Sequence, residues 1–183
     1  GLRRERNGVL ARLRSRRVDG GLAGRRLLLG HRGEPDQLAV IGLGGQGQGH
    51  VKYFAGIEGC TVVAACDVDP ERRAKVSAAL DGKLDVKMYS NFHELLADGS
   101  IDSVSVATPD HWHPLICIAC CEAGAHVYVE KPVGHTILEG RAMVKAARAT
   151  NRVVQVGTQR RSTPHLIEAR EDIVKAGKLG DIG

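Results

Sequence analysis

Leu38-Ala39-Val40-Ile41-Gly42-Leu43-Gly44-Gly45-Gln46-Gly47 decides the fold. Leu38 to Leu43 is a short apolar run with the length of a buried strand. A glycine cluster follows at once, and a helix-like stretch runs from it to about Ala55. Gly42, Gly44 and Gly47 stand in the spacing G-x-G-x-x-G. Here the pattern has the strand before it and the helix after it that give it meaning. Gly42 permits a tight turn, Gly44 lets the backbone approach a pyrophosphate, and Gly47 lets the helix pack closely on the strand. Phosphates would sit on the N–H groups of the helix start, where the dipole favours anions. Gly45 and Gln46, inside the pattern, join the three glycines as cofactor-binding candidates.

Downstream, strand and helix alternate. Thr61–Cys66 reads as a second strand, and Asp69 with Pro70 opens a helix to about Leu80. Val86–Tyr89 is a short strand. Asn91-Phe-His-Glu94 has the form of a capping box opening a short helix. Ser103–Thr108 is a strand, Pro114 to Ala123 a helix ending at Gly124, and His126–Glu130 a strand. Thr136-Ile-Leu-Glu139 is a second capping box, starting a helix to about Thr150. Val153–Gly157 is the last strand, and Pro164 to Ala176 a last helix stopped by Gly177. Repeated strand–helix units with strands apolar on both faces predict an α/β fold: a doubly wound parallel sheet covered on both sides. Ligands of such sheets bind beyond the carboxyl ends of the strands.

Five segments lie at those ends. Asp67 follows the second strand, 20 residues after Gly47, the spacing of an acid that accepts hydrogen bonds from an adenosine ribose. A carboxylate there repels a 2′-phosphate and favours NAD over NADP; Arg72 and Arg73 nearby keep NADP open. Thr108-Pro109-Asp110-His111-Trp112-His113-Pro114 forms a loop stiffened by prolines that would lie beside the dinucleotide. Glu130-Lys131-Pro132 follows the next strand. A lysine at a strand end, shielded from bulk water, can exchange a proton with a substrate hydroxyl while hydride moves to nicotinamide; on position alone an exposed lysine before a turn is an equal reading. The fifth segment is Gly157–Arg161. No metal is expected: Cys117, Cys120 and Cys121 fall inside an apolar helix, where small buried thiols are common, and no zinc-site spacing repeats. His50, His93, His135 and His165 read as surface or capping residues.

Composition sets outer bounds. The chain has 183 residues, 43% apolar and 26% charged, with five cysteines lacking disulfide-like spacing. It approaches nowhere the roughly 18 consecutive apolar residues of a membrane span. Residues 1–37 hold ten Arg, no Lys and four acids, a net +6, whereas residues 38–183 carry −1. The basic character is confined to the first segment, so a nucleic-acid-binding core is not supported. Residues 1–37 read as a basic leader, disordered or non-native, and residues 38–183 as the dinucleotide-binding domain. A chain beginning at Gly1 rather than Met is expected to be a fragment or a processed product.

Gly42–Gly47, Asp67, Thr108-Pro109 with His113, Glu130-Lys131-Pro132 and Gly157-Thr158-Gln159 occur in that order. Together they resemble the glucose–fructose oxidoreductase / inositol dehydrogenase / MocA (Gfo/Idh/MocA) family of NAD(P)-dependent oxidoreductases. The resemblance covers about Leu38 to Gly183, and Val153 to Ile182 also resembles a branch found in bacterial sugar-processing gene sets. It implies that Lys131 is the catalytic lysine, that Glu130 lies near the cofactor, and that His113 helps form the nicotinamide pocket. Gln159 and Arg161 would face the cofactor or substrate side. Family members act on sugars, cyclitols and related polyols by hydride transfer. A redox-neutral NAD-dependent glycosidase of the same fold and a non-catalytic NAD-binding module are the alternatives. Members usually have a second α/β domain, missing from this chain, which contributes substrate and oligomer contacts; a homo-oligomer is implied when it is present. Asp110 stands where the family usually has asparagine. Reduced thiols point to the cytoplasm, and twin-arginine export to the periplasm, a habit of that branch, is the alternative.

Overall fold

The computed structural model describes residues 35–181, apart from 81 and 83. The leader reading of residues 1–37 lies, as far as residue 34, outside the described part. The elements are β1 (Asp36–Ile41), α1 (Gly45–Ala55), β2 (Cys60–Cys66), α2 (Pro70–Leu80), β3 (Lys87–Tyr89), α3 (Phe92–Ala97), β4 (Ser103–Val106), α4 (His113–Ala123), β5 (His126–Glu130), α5 (Ile137–Thr150), β6 (Val154–Gly157) and α6 (Pro164–Ala169). The strands form one parallel sheet in the order β3-β2-β1-β4-β5-β6. The order reverses between β1 and β4, which makes their carboxyl ends the switch point of a doubly wound fold.

Alternation along the strands builds two cores. Leu38 and Val40 of β1 pack with Val51, Phe54 and Val76 from α1 and α2 on one face. Ala39 and Ile41 turn to the other, against Leu95 of α3, Ile116, Cys117, Cys120 and Cys121 of α4, and Met143 of α5. Six residues make a helix too short to persist alone. α3 holds because Leu95 is fully buried, worth roughly 1.5–3 kcal/mol. All five cysteines are free and buried. Burial pushes the Cys60 and Cys66 thiols up to about 11.

One irregularity in β2 aims a side chain. Leu38 pairs with Val62 but Ala39 with Ala64, so Val63 is an extra residue, a β-bulge. Val63 and Ala64 then both face the α4 side, and Ala65 returns to the α1 side. Strict alternation from Val62 would send Asp67 to the α4 side. The bulge brings it to the α1 side, where the backbone N–H of Leu43 reaches it.

Several element limits differ from the sequence reading. β1 starts at Asp36 and ends at Ile41, because Gly42 has φ of 91° and turns the chain out of the sheet. β4 ends at Val106, and two of its four residues are buried serines, so this strand is not apolar on both faces. At Asn91 only half of a capping box forms: Asn91 Oδ1 accepts from the His93 N–H, with no return bond from Glu94. The last helix is α only to Ala169, and Arg170–Lys175 continues in wider π turns. A six-residue window is too short for hydrophobic period to separate the two windings. Among the described residues no helix is long and apolar enough to cross a membrane.

The capping box at Thr136 is complete. Thr136 Oγ1 accepts from the Glu139 N–H at 3.2 Å, and Glu139 Oε2 accepts from the Thr136 N–H at 2.8 Å. Thr136→Ala is expected to cost about 1 kcal/mol, seen as a lower urea midpoint with an unchanged slope.

Candidate functional site

The glycine turn leaves no space where the fold is tightest and leaves it open where a ligand would come. A Cβ on Gly47 would stand 1.7 Å from the Gly42 carbonyl oxygen, and one on Gly42 would stand 2.6 Å from the Thr108 nitrogen. Both positions therefore require glycine. At Gly45 a Cβ would meet nothing within 4 Å, and at Gly44 only the tip of Arg72 at 3.7 Å. The open side of this cradle fits a diphosphate approaching the start of α1. That helix has no acid in its first turn and Lys52 in its last, a pattern that suits an anion at the N-terminus.

Asp67 lies beside the cradle and is buried. Its Oδ2 accepts from the Leu43 N–H at 2.7 Å and its Oδ1 from the Asp69 N–H at 2.9 Å. Each oxygen keeps a further lone pair, which is what a ribose hydroxyl would need. Asp69 does the capping of α2, accepting from the Glu71 N–H at 2.8 Å. The two arginines differ. Arg73 turns inward and donates to the carbonyls of Asp67 and Val68. Arg72, half exposed, stands 3.8 Å from Asp67 and 3.3 Å from Asp69.

At the end of β5, Glu130 is 5% exposed and collects donors. Its Oε1 accepts from Gln159 Nε2 at 2.5 Å and Gln46 Nε2 at 3.2 Å, and lies 3.0 Å from His50 Nε2. Its Oε2 accepts from the Lys131 N–H at 3.2 Å. Glu130 thus joins α1, β5 and the segment after β6. His50 is a correction to its reading as a surface or capping residue: it is 7% exposed. Its Nδ1 lies 2.8 Å from Ser105 Oγ on β4, and its ring is edge-on to Phe54 and Tyr128. With a carboxylate at Nε2, that nitrogen carries the proton and Nδ1 accepts from the serine hydroxyl. The signal was in the spacing: Gly47, His50, Val51 and Phe54 form the buried stripe of α1. Ser105 gave none, since a serine inside a strand has no periodic mark.

The other two loops meet through His113, which is 1% exposed. Its Nδ1 lies 2.7 Å from the Pro132 carbonyl and its Nε2 2.9 Å from the Thr108 carbonyl. Both ring nitrogens face backbone carbonyls, and a neutral ring donates to only one of them at a time, so His113 sits between the two loops and ties one or the other by its N–H. Thr108 Oγ1 is buried without a hydrogen-bond partner, a polar atom with capacity to spare. Pro109, exposed, begins the turn Asp110–Trp112. Asp110 pairs with His135 at 2.9 Å, and that bond holds its carboxyl below the usual range.

Lys131 follows β5 with its side chain exposed and precedes a cis bond to Pro132. The shielding from bulk water that its position suggested is not provided by the described residues. Arg161, in the 3-10 turn Gln159–Ser162, is exposed and makes no hydrogen bond or ion pair with the other candidates. The structure therefore joins Gln46, Glu130, Lys131 and Gln159 in one network, and Thr108 with Pro132 through His113, and leaves Arg161 apart. Among the described residues, no three His, Cys, Asp or Glu side chains are grouped to hold a metal.

Burial, opposed by the Glu130 carboxylate, holds the His50 pKa below its ordinary 6.5. The unfolded chain then takes up the proton first as pH falls, so stability declines from about pH 6.5 down to the folded-state value and is level below it. The decline in denaturation midpoint between pH 7.5 and 5.5 is expected to be smaller in His50→Gln than in the native chain.

A family model described as "Oxidoreductase family, NAD-binding Rossmann fold" (Gfo/Idh/MocA) matches residues 37–158. Inositol 2-dehydrogenase 1 of Saccharopolyspora erythraea is 33% identical over 147 residues, covering 79% of this chain and 43% of that protein. The crystal structure of myo-inositol 2-dehydrogenase from Lactobacillus plantarum superposes with a TM-score of 0.73 at 30% identity, over 81% of this chain and 43% of that one. Scyllo-inositol dehydrogenase from Lactobacillus casei, solved with NAD(H) and scyllo-inositol, gives 0.72 at 27% identity, over 80% and 43%. The chain thus spans less than half the length of these relatives. The matched residues run from β1 to the end of β6 and take in the glycine cradle, Asp67 and the Glu130-Lys131-Pro132 segment; the chain belongs to the Gfo/Idh/MocA oxidoreductase family and carries its NAD-binding Rossmann domain.

Proposed function

We propose that this chain is the cofactor-binding part of an NAD-dependent oxidoreductase that acts on a cyclitol, sugar or related polyol. The observation that carries the reading is that two features share the carboxyl edge of the sheet, one at the switch point and one at the end of β5, beside β4. One is a glycine cradle with room for a diphosphate; the other is an exposed lysine on a strand end whose neighbours are held. NAD, when bound, supplies the hydride-accepting chemistry. Gly42, Gly44, Gly45, Gln46 and Gly47 form the seat for its phosphates, and Asp67 accepts from ribose hydroxyls. Thr108 and Pro109 wall the nicotinamide side, with His113 fixing that loop to Pro132.

Lys131 Nζ exchanges the proton of the substrate hydroxyl as the carbon gives up its hydride, so one C–H and one O–H bond are replaced by the carbonyl. Glu130 and Gln159 hold the floor beneath it, and Arg161 lies on the substrate side. The relatives named above are inositol dehydrogenases, which favours the dehydrogenase over the glycosidase and over a pure binding module. The substrate is a small molecule, and a homo-oligomer is the assembly proposed for the longer protein. Five buried free thiols support a cytoplasmic location.

Calorimetric titration tests the cofactor half: NAD is expected to bind more tightly than NADP because of Asp67, and absence of heat with both would sink the reading. In the protein that turns over a polyol, Lys131→Met is expected to lower kcat by about a hundredfold or more while NAD affinity stays close to native. Unchanged turnover would remove Lys131 from the chemistry.

A further inference from the structure

Lys131 is carried by a segment gripped on both sides of it. On one side the Glu130 carboxylate meets Gln46, His50 and Gln159; on the other the Pro132 carbonyl meets His113. Gln46 and His50 stand four residues apart on α1, one above the other on the same helix. Their helix is the one whose N-terminus faces the open side of the glycine cradle. A small shift of α1 therefore moves two of the three side-chain donors to Glu130 together. Glu130 in turn holds the Lys131 N–H through its other oxygen.

Of the two donors, His50 is the stiffer link. Gln46 is exposed, with several rotatable bonds. His50 is buried, lies 2.8 Å at Nδ1 from Ser105 on the central strand β4, and packs edge-on against both Phe54 and Tyr128, which also touch each other. It can transmit a displacement of the helix to the end of β5 because its buried ring is engaged at both nitrogens, by Ser105 on one side and Glu130 on the other.

We propose that His50 is a positioning residue for Lys131: acting through the Glu130 carboxylate, it makes the setting of the lysine-bearing strand end follow the seating of a diphosphate at the start of α1. This rests on the cofactor reading above. A residue that merely fills space needs no N–H directed at Glu130, whereas a positioning residue does, and that difference is what separates the two roles.

The probe is ADP, which has the adenosine and both phosphates and ends at the diphosphate, with neither the second ribose nor the nicotinamide. Backbone amide NMR of this chain is expected to show shifts at Gly44 and Gly45 and, on the same titration curve, at Lys131 and Gln159. His50→Gln keeps an N–H at about the reach of Nε2, toward Glu130. His50→Asn keeps a polar group only at the reach of Nδ1, toward Ser105. The Lys131 shift should survive in His50→Gln and be largely lost in His50→Asn, with the Gly44 and Gly45 shifts kept in both. Equal Lys131 shifts in the two variants, with Gly44 and Gly45 responding, overturn the positioning role and leave the cofactor reading standing. No shift at Gly44 and Gly45 in the native chain overturns the cofactor reading and this proposal with it. Where His50→Asn fails to fold, the ring Nε2–H resonance of native His50 decides: it should move with the Lys131 amide, and a resonance that stays in place refutes the link.

Discussion

At the turn from β1 into α1, the carbonyl oxygen of Gly42 occupies the place that a Cβ on Gly47 would need. That approach sets the distance between the first strand and the first helix, and the rest of the site inherits it. With α1 this close, Val51 and Phe54 complete the core on that face. His50 reaches across to Ser105 on β4 and Glu130 on β5. The Leu43 N–H comes within 2.7 Å of Asp67. A methyl group at position 47 has no room beside the Gly42 carbonyl, so the helix that carries Val51, Phe54 and His50 would have to move away from the strand.

The second organising element is a buried carboxylate. An unpaired charge at the position of Glu130 would be costly, so its oxygens are surrounded by N–H donors from three separate elements. The arrangement gives the end of β5 a rigid base while leaving the next residue, Lys131, projecting into the open. Sites of this sort combine a fixed support with one free functional group, because proton transfer needs accurate placement of the group that moves the proton. The loop on the far side meets a different device, a buried histidine whose two ring nitrogens face backbone carbonyls, one of which accepts its N–H.

Much of this was legible in the sequence. The glycine spacing, the acid at the end of β2 and the segment Glu130-Lys131-Pro132 each carry a local signature, and local signatures survive being read in one dimension. The doubly wound parallel sheet followed from alternation, since parallel strands with helical crossovers leave few topologies, but the order of its strands was not read. Tertiary reach was not legible. Histidine 50 has the same letters around it whether its ring meets water or Glu130, and only the buried stripe of α1 distinguishes the cases. The bulge at Val63 is silent because Val62, Val63 and Ala64 are all suited to either face of a strand. Likewise Asn91 and Glu94 satisfy the spacing of a capping box, but the glutamate does not fold back.

The burial of the thiols has a practical side. All five cysteines of the chain are covered. Even Cys121, whose thiol is drawn down by its hydrogen bond with Cys117, lies on the buried face of α4. Ionised, accessible sulfur is what alkylating and maleimide reagents attack, and the folded chain offers none. A single cysteine placed on the surface, for instance on the exposed rim of the cradle, would be the one position that takes a dye or a spin label. The native five need not be replaced first, so the movement of the cradle against the Lys131 loop can be followed in a chain that is otherwise unaltered.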